Sequence, residues 1–317
     1  MAGLSEAAAV VLGKCMKVKL GEEVLVVTDE PCKSVGRALW NQAREMGCDA
    51  VLVEIKPRAT HGQEPPASVA KAMLGAGVCL LATSKSLSHT RARNEATAAG
   101  VRTASLPGIT EDIMGRALMA DYEEVAGFTL KVAERMQGAR RITVRGPSGT
   151  DLTLNVEGRP VHPDTGIYTQ PGDFGNLPAG EVYLAPVEGV AEGVVVIDGS
   201  IAGVGLVDRP VRVEVEEGLV VKITGGEAAR RLEALIGSAG RDARNVAELG
   251  LGTNGWATLI GNILEDEKVL GTAHIAFGAN ATFGGKVQVA SHLDGIIRRA
   301  TVIVDGATLM KDGKLLV

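Results

Sequence analysis

The sequence is poor in several features that would assign a function at once. No stretch approaches the roughly 20 consecutive apolar residues that cross a bilayer. The opening MAGLSEAAAVVLGKCMKVKLGEE reaches charged residues after an apolar run of only about ten, without the layout of a signal peptide. The expectation is a cytoplasmic protein with no membrane partner. Basic charge is not in excess: 33 Lys and Arg stand against 38 Asp and Glu, a net charge of -5. That balance offers no field for a phosphate backbone, so nucleic acid is excluded and a small molecule or short peptide is the expected substrate.

Cysteine is scarce as well. Cys15, Cys32, Cys48 and Cys79 all fall in the first quarter of the 317 residues, at spacings of 17, 16 and 31 that match no zinc or redox pattern. They read as free thiols in a reducing compartment. Neither G-x-G-x-x-G nor a Walker loop follows any strand, although EVLVVTDEP at 23–31 has the texture of a nucleotide-binding strand. No nucleotide cofactor is expected.

What is present begins with an alternation. Apolar β-rich runs at Glu23–Thr28, Ala50–Ile55, Val78–Thr83 and Val101–Ser105 alternate with stretches of helical spacing at Ser5–Leu20, Ser34–Met46, Ser68–Leu74 and Thr90–Ala99. Strand and helix in turn predict an α/β domain with an open, mainly parallel sheet. Glu111–Met136 is again helical. From Arg141 onward the texture changes to short strands between glycine-rich turns (RITVRG, DLTLNVEG, GEVYLAP, EGVVVIDGS, PVRVEVEEG, LVVKITGG), which predicts a mostly antiparallel β (α+β) domain. One helix, Gly226–Ile236, interrupts it, and strands return at Lys286–Val289, Ala300–Asp305 and the final KLLV. The expected boundary lies near residue 140, giving domains 1–140 and 141–317, with metal binding and catalysis in the second.

The chemistry-bearing residues are few. His292 and Asp294 stand two apart in SHLDG, and residues i and i+2 of a strand face the same side, so imidazole and carboxylate can grip one ion; a polar turn is the plain alternative. His274 in LGTAHIAFGAN reads either as a satisfied core histidine or as a ligand. Glu248 in NVAELGLGTN and Glu181 in LPAGEVYLAP are carboxylates set in uncharged apolar words, where an unpaired charge is costly. Arginine partners or exposure explain either one alone. Together the five supply oxygen and imidazole donors suited to Zn, Mn, Co or Fe(II), and hold two ions if one carboxylate bridges.

With these residues in view, the C-terminal half resembles the aminopeptidase T family of metallopeptidases. The matching words are NLPAGEVYLAP at Asn176–Pro186, AELGLGTN at Ala247–Asn254, TAHIAFG at Thr272–Gly278 and SHLDG at Ser291–Gly295. The resemblance implies a pair of divalent ions (Zn, Co or Mn) on Glu181, Glu248, His274, His292 and Asp294, peptide hydrolysis by metal-activated water, and a homodimer. Glu248 is the candidate general base. Two features depart from that family: no tyrosine follows His274 within IAFGANATFGG, and the interval to His292 is short, which implies a trimmed loop. The words SLSHTRARNEATAAGVRTASLPGIT at Ser86–Thr110 are similar to a second branch, non-haem Fe(II) dioxygenases that open dihydroxypyridine rings. That resemblance implies His89 as a catalytic residue and an iron triad of His274, His292 and Asp294.

Overall fold

Most of the apolar runs near the N-terminus form the inside of a sheet because they are buried on both faces, while Ala50–Ile55 lies at its edge and is partly exposed. Val78–Ala82 is wholly buried, and Glu23–Asp29 is buried from its second residue onward. The computed structural model describes residues 2–317. Its first sheet has five strands in the order Asp49–Ile55, Glu23–Asp29, Val78–Ala82, Arg102–Ser105 and Phe174–Asn176, all parallel. Helices connect them. Lys33–Glu45 buries Val35, Leu39 and Ala43 at the four-residue spacing of one helix face. Arg91–Ala98 starts where Thr90 Oγ1 accepts from Arg93 N at 3.2 Å, while the Glu64 carboxylate accepts from Arg91 N and Ala92 N. Two of the helix's unpaired amides are thereby satisfied by a carboxylate at the positive end of its dipole.

The sequence does not announce the fifth strand. The chain returns to this unit at Gly166–Ala179. Tyr168 N donates to Cys15 O at 2.8 Å and its hydroxyl to Asn176 O at 2.6 Å. Gly175 makes room for that phenol: a Cβ there would lie 2.3 Å from the Tyr168 hydroxyl. This first unit runs to Ala126 and includes Gly166–Ala179; the second comprises Gly127–Thr165 and Gly180–Val317. The expected long helical stretch is two helices, Glu111–Ala117 and Tyr122–Met136, because Asp121 Oδ1 accepts from Glu123 N and Glu124 N and starts a new helix.

The second unit carries two antiparallel sheets of eight and seven strands. Ile142, Val144, Leu152, Val195 and Val213 from one sheet and Val182, Leu184, Leu249, Leu251, Ile275 and Phe277 from the other share a single apolar core, as in sheets packed face to face. Helix Glu227–Ser238 adds Ala228, Leu232 and Ile236 to it. Lys286–Val289, expected as a strand, is not one. Its amides are taken by side chains instead: Lys286 N donates to Glu188 Oε1 and Val287 N to Asn280 Oδ1. Among the described residues no helix is long and apolar enough to cross a membrane.

Candidate metal centre

Four adjacent strands of the seven-stranded sheet build the site: Glu181–Leu184, Val246–Gly252, Ala273–Gly278 and His292–Ile297, in that order across the sheet. Their alternation sends Val182, Leu249, Leu251, Ile275, Phe277 and Ile297 into the core. Glu181, Glu248, His274, His292 and Asp294 then share the opposite face. Register does the rest. Glu248 and Asp294 both pair with Ala276 from opposite sides, His292 pairs with Gly278, His274 with Gly250 and Glu181 with Gly252. The partners are small so that the ligands can lie across them. A Cβ on Gly250 would fall 2.0 Å from His274 Nε2, so the imidazole rests on bare backbone. A bulge between Val246 and Glu248, next to the site, sets the position of the carboxylate.

The five side chains form one continuous string. His274 Nε2 lies 3.4 Å from Glu181 Oε2 and 3.2 Å from Glu248 Oε1. His292 Nε2 lies 3.3 Å from Glu248 Oε2 and 3.5 Å from Asp294 Oδ1. Glu248 is therefore shared between two imidazoles. His292 Nδ1 donates to Ala279 O at 2.8 Å, since a carbonyl can only accept, and this turns Nε2 toward the carboxylates. His274 is 0% exposed; its Nδ1 and the Glu181 Oε2 have no hydrogen-bond partner. Glu181 Oε2 faces His274 Nε2, and lone-pair atoms that meet in a buried setting need a proton or a cation between them. The carboxylates and imidazole of Glu248, His292 and Asp294 are donors that fit a divalent ion. Glu248, His292 and Asp294 offer three ligand atoms within 4.8 Å of one another, and Glu181, Glu267 and His274 form a second such group.

Electrostatics follow from this crowding. Burial, with Asp164 and Glu248 nearby, pushes Glu181 up to about 8 against the opposing pull of Lys268. Burial likewise raises Glu267 to about 8. Glu248 behaves oppositely: burial would raise it, but hydrogen bonds from both imidazoles outweigh that and hold it below the usual carboxylate range. Burial opposes charge on His274 and His292, yet their carboxylate neighbours win and raise both.

Two residues of the cluster escaped the sequence reading, Glu267 and Lys268. They belong to the run LEDEKV, whose spacing is that of a solvated charge cluster, yet Glu265, Asp266 and Lys268 are fully buried. Lys268 Nζ donates to Glu181 Oε1 at 2.6 Å and to Glu267 Oε1 at 2.5 Å. Asp266 accepts from Ile260 N, Gly261 N and Ser200 Oγ. The one available signal was position, because the run ends just before the His274 strand. His89 is exposed in the turn before helix Arg91–Ala98, in the first unit.

A tier of rings flanks the cluster. His162 stacks on Tyr183 with centroids 5.2 Å apart, Tyr183 meets Phe283 edge-on at 5.7 Å, and Phe283 meets His292 edge-on at 5.8 Å. With only 4 Phe, 3 Tyr and 2 Trp in the whole chain, this local gathering is not a by-product of composition.

Comparison with known proteins bears on both resemblances. The 2,5-dihydroxypyridine 5,6-dioxygenase of Pseudomonas putida KT2440 is 23% identical over 215 residues, which is 62% of this chain and 60% of that protein. The solved structure of 2,5-dihydroxypyridine dioxygenase from the same organism superimposes with a TM-score of 0.87 at 18% identity, covering 99% of this chain and 97% of that one. Wild-type AmpT from Thermus thermophilus superimposes with a TM-score of 0.72 at 20% identity, covering 100% and 99%. At these identities the structures show a shared fold, the expected α/β domain followed by an antiparallel β domain. The family itself is shown by the chain's match over residues 4–317: it belongs to the NicX family, described as 2,5-dihydroxypyridine 5,6-dioxygenase.

Proposed function

We propose that the protein is a non-haem Fe(II) dioxygenase that opens a dihydroxylated, pyridine-type aromatic ring. Membership of the NicX family supports this reading, and the observation that carries it is the ring tier beside the ligands. Phe283 and Tyr183 stand edge to face next to His292 in a chain with few aromatics. Such a wall suits a flat aromatic substrate, which gains from edge and offset contacts with rings, better than it suits an extended peptide.

Glu248, His292 and Asp294 would hold the ion, and His274, whose Nε2 lies 3.2 Å from Glu248 Oε1, stands next to them, so that the implied pair of histidines with Asp294 is at hand for Fe(II). An ion bound there supplies the redox chemistry that lets O2 react with an aromatic ring. The protein's part is positional. Ala279 O holds the His292 ring through Nδ1, and His274 holds the other oxygen of Glu248. Both atoms of O2 end on the two carbons released when the ring bond breaks, so the reaction balances without a further reductant. Anaerobic loading with Fe(II), then addition of 2,5-dihydroxypyridine and air, is expected to consume one O2 per ring and bleach the aromatic absorbance. Absence of O2 uptake with this and other dihydroxylated rings rejects the reading.

A second reading is a metal-dependent aminopeptidase. It is favoured by Glu248, whose two oxygens face two different imidazoles as a carboxylate bridging two ions would. Release of aniline from aminoacyl anilides in the presence of Zn, Co or Mn is its test. The lack of a tyrosine in Ile275–Gly285 counts against it.

A further inference from the structure

The two groups of ligand atoms differ in their cationic neighbours. Among the described residues, no Lys or Arg nitrogen lies within ion-pair distance of Glu248, His292 or Asp294. In the group of Glu181, Glu267 and His274, Lys268 Nζ already sits on one oxygen of each glutamate, at 2.6 and 2.5 Å. We propose that Lys268 is the resident cation of this second position, so that the protein takes up one divalent ion per chain rather than two.

Three observations support it. Lys268 is 0% exposed, and an ammonium enclosed to that degree cannot swing away without leaving itself and two glutamates unpaired. Its backbone is fixed where it is. Lys268 N donates to Glu265 O at 2.9 Å, and Asn254 N donates to Lys268 O at 2.9 Å. Gly252, the register partner of Glu181, has no room for a side chain because a Cβ would lie 2.1 Å from Val269 O and 2.8 Å from Lys268 C. The glycine lets the Lys268–Val269 backbone lie against the strand, and this brings the ammonium to Glu181. A divalent ion on the same two oxygens would need to approach them to about 2.0–2.2 Å. That would place it beside the ammonium in a buried setting, where like charges repel strongly.

The inference rests on reading the cluster as a metal centre; it accords with the one-ion dioxygenase reading and goes against the two-ion aminopeptidase reading. Protein stripped with a chelator and dialysed against Mn(II) is expected to retain one equivalent per chain, with the electron paramagnetic resonance signal of an isolated ion. Lys268→Met removes the charge at similar length; it is expected to double the uptake to two equivalents and to give a spin-coupled signal. Lys268→Arg keeps a cation and is expected to stay at one. Two tight equivalents in the unaltered protein overturn the proposal, whether or not the Met variant folds. A natively folded Met variant that remains at one also overturns it. No uptake at all removes the metal-centre reading along with it.

Discussion

The two faces of the seven-stranded sheet share every backbone atom and almost nothing else. On one, Val182, Leu249, Leu251, Ile275 and Phe277 are interchangeable in kind: each contributes by the apolar area it removes from water. On the other, Glu181, Glu248, His274, His292 and Asp294 bury charge, which is unfavourable for any one of them alone and tolerable because each faces another. A period of two thus separates stability from chemistry within single strands. Changes on one face should alter folding, and changes on the other should alter ion binding.

The sharpest break in that division comes from the ligands. His292→Ala or Asp294→Asn is expected to weaken ion binding by more than the roughly 10–100-fold lost with outer partners, with the far-ultraviolet spectrum retained; equilibrium dialysis with Mn(II) reads this directly. Leu249→Ala, one residue from Glu248 but on the other face, is expected to lower unfolding stability by about 2–5 kcal/mol in urea titrations. Its ion affinity should stay unchanged, and a matching loss of affinity would erase the distinction between the faces.

Gly250→Ala crosses the divide, because its methyl group would enter the place of the His274 ring. About 1–3 kcal/mol of overpacking should accompany a drop in ion affinity, and the same two measurements apply. A smaller effect concerns pH. His274 and His292 are raised in the ion-free protein. The stability this contributes is full below the ordinary histidine value of about 6.5 and is lost as pH rises through the raised values. Glu181 and Glu267, raised to about 8, act in the same direction, since below that pH the folded state binds protons that the unfolded chain has released. Ion uptake at Glu248, His292 and Asp294 displaces the proton held by the His292 imidazole and so strengthens as pH rises. The melting-temperature gap between Mn(II)-loaded and ion-free protein should therefore widen from about pH 6 to about pH 9.

Much of this face was legible in the words ELGLG, AHIAFG and SHLDG, because strand alternation and small neighbours leave a local signature. Lys268 was not, since a lysine in an acidic run looks the same whether the run is solvated or enclosed. Nor was the ring tier, because Tyr183 and Phe283 are a hundred residues apart and only the fold brings them together. The misread strand Lys286–Val289 has a suitable alternating pattern, but pattern says nothing of amides already taken by Asn280 and Glu188. Phe174–Asn176 was hidden by its brevity among turn residues.

The loop after the His274 strand is closed at its neck. Gly278 pairs with His292, Ala279 N donates to Ser291 O at 2.8 Å, and Ala279 O receives His292 Nδ1. Everything between those clasps hangs outside the register that aligns the ligands. The segment can therefore be lengthened or exchanged as a cassette while His292 and Asp294 keep their register opposite Gly278 and Ala276.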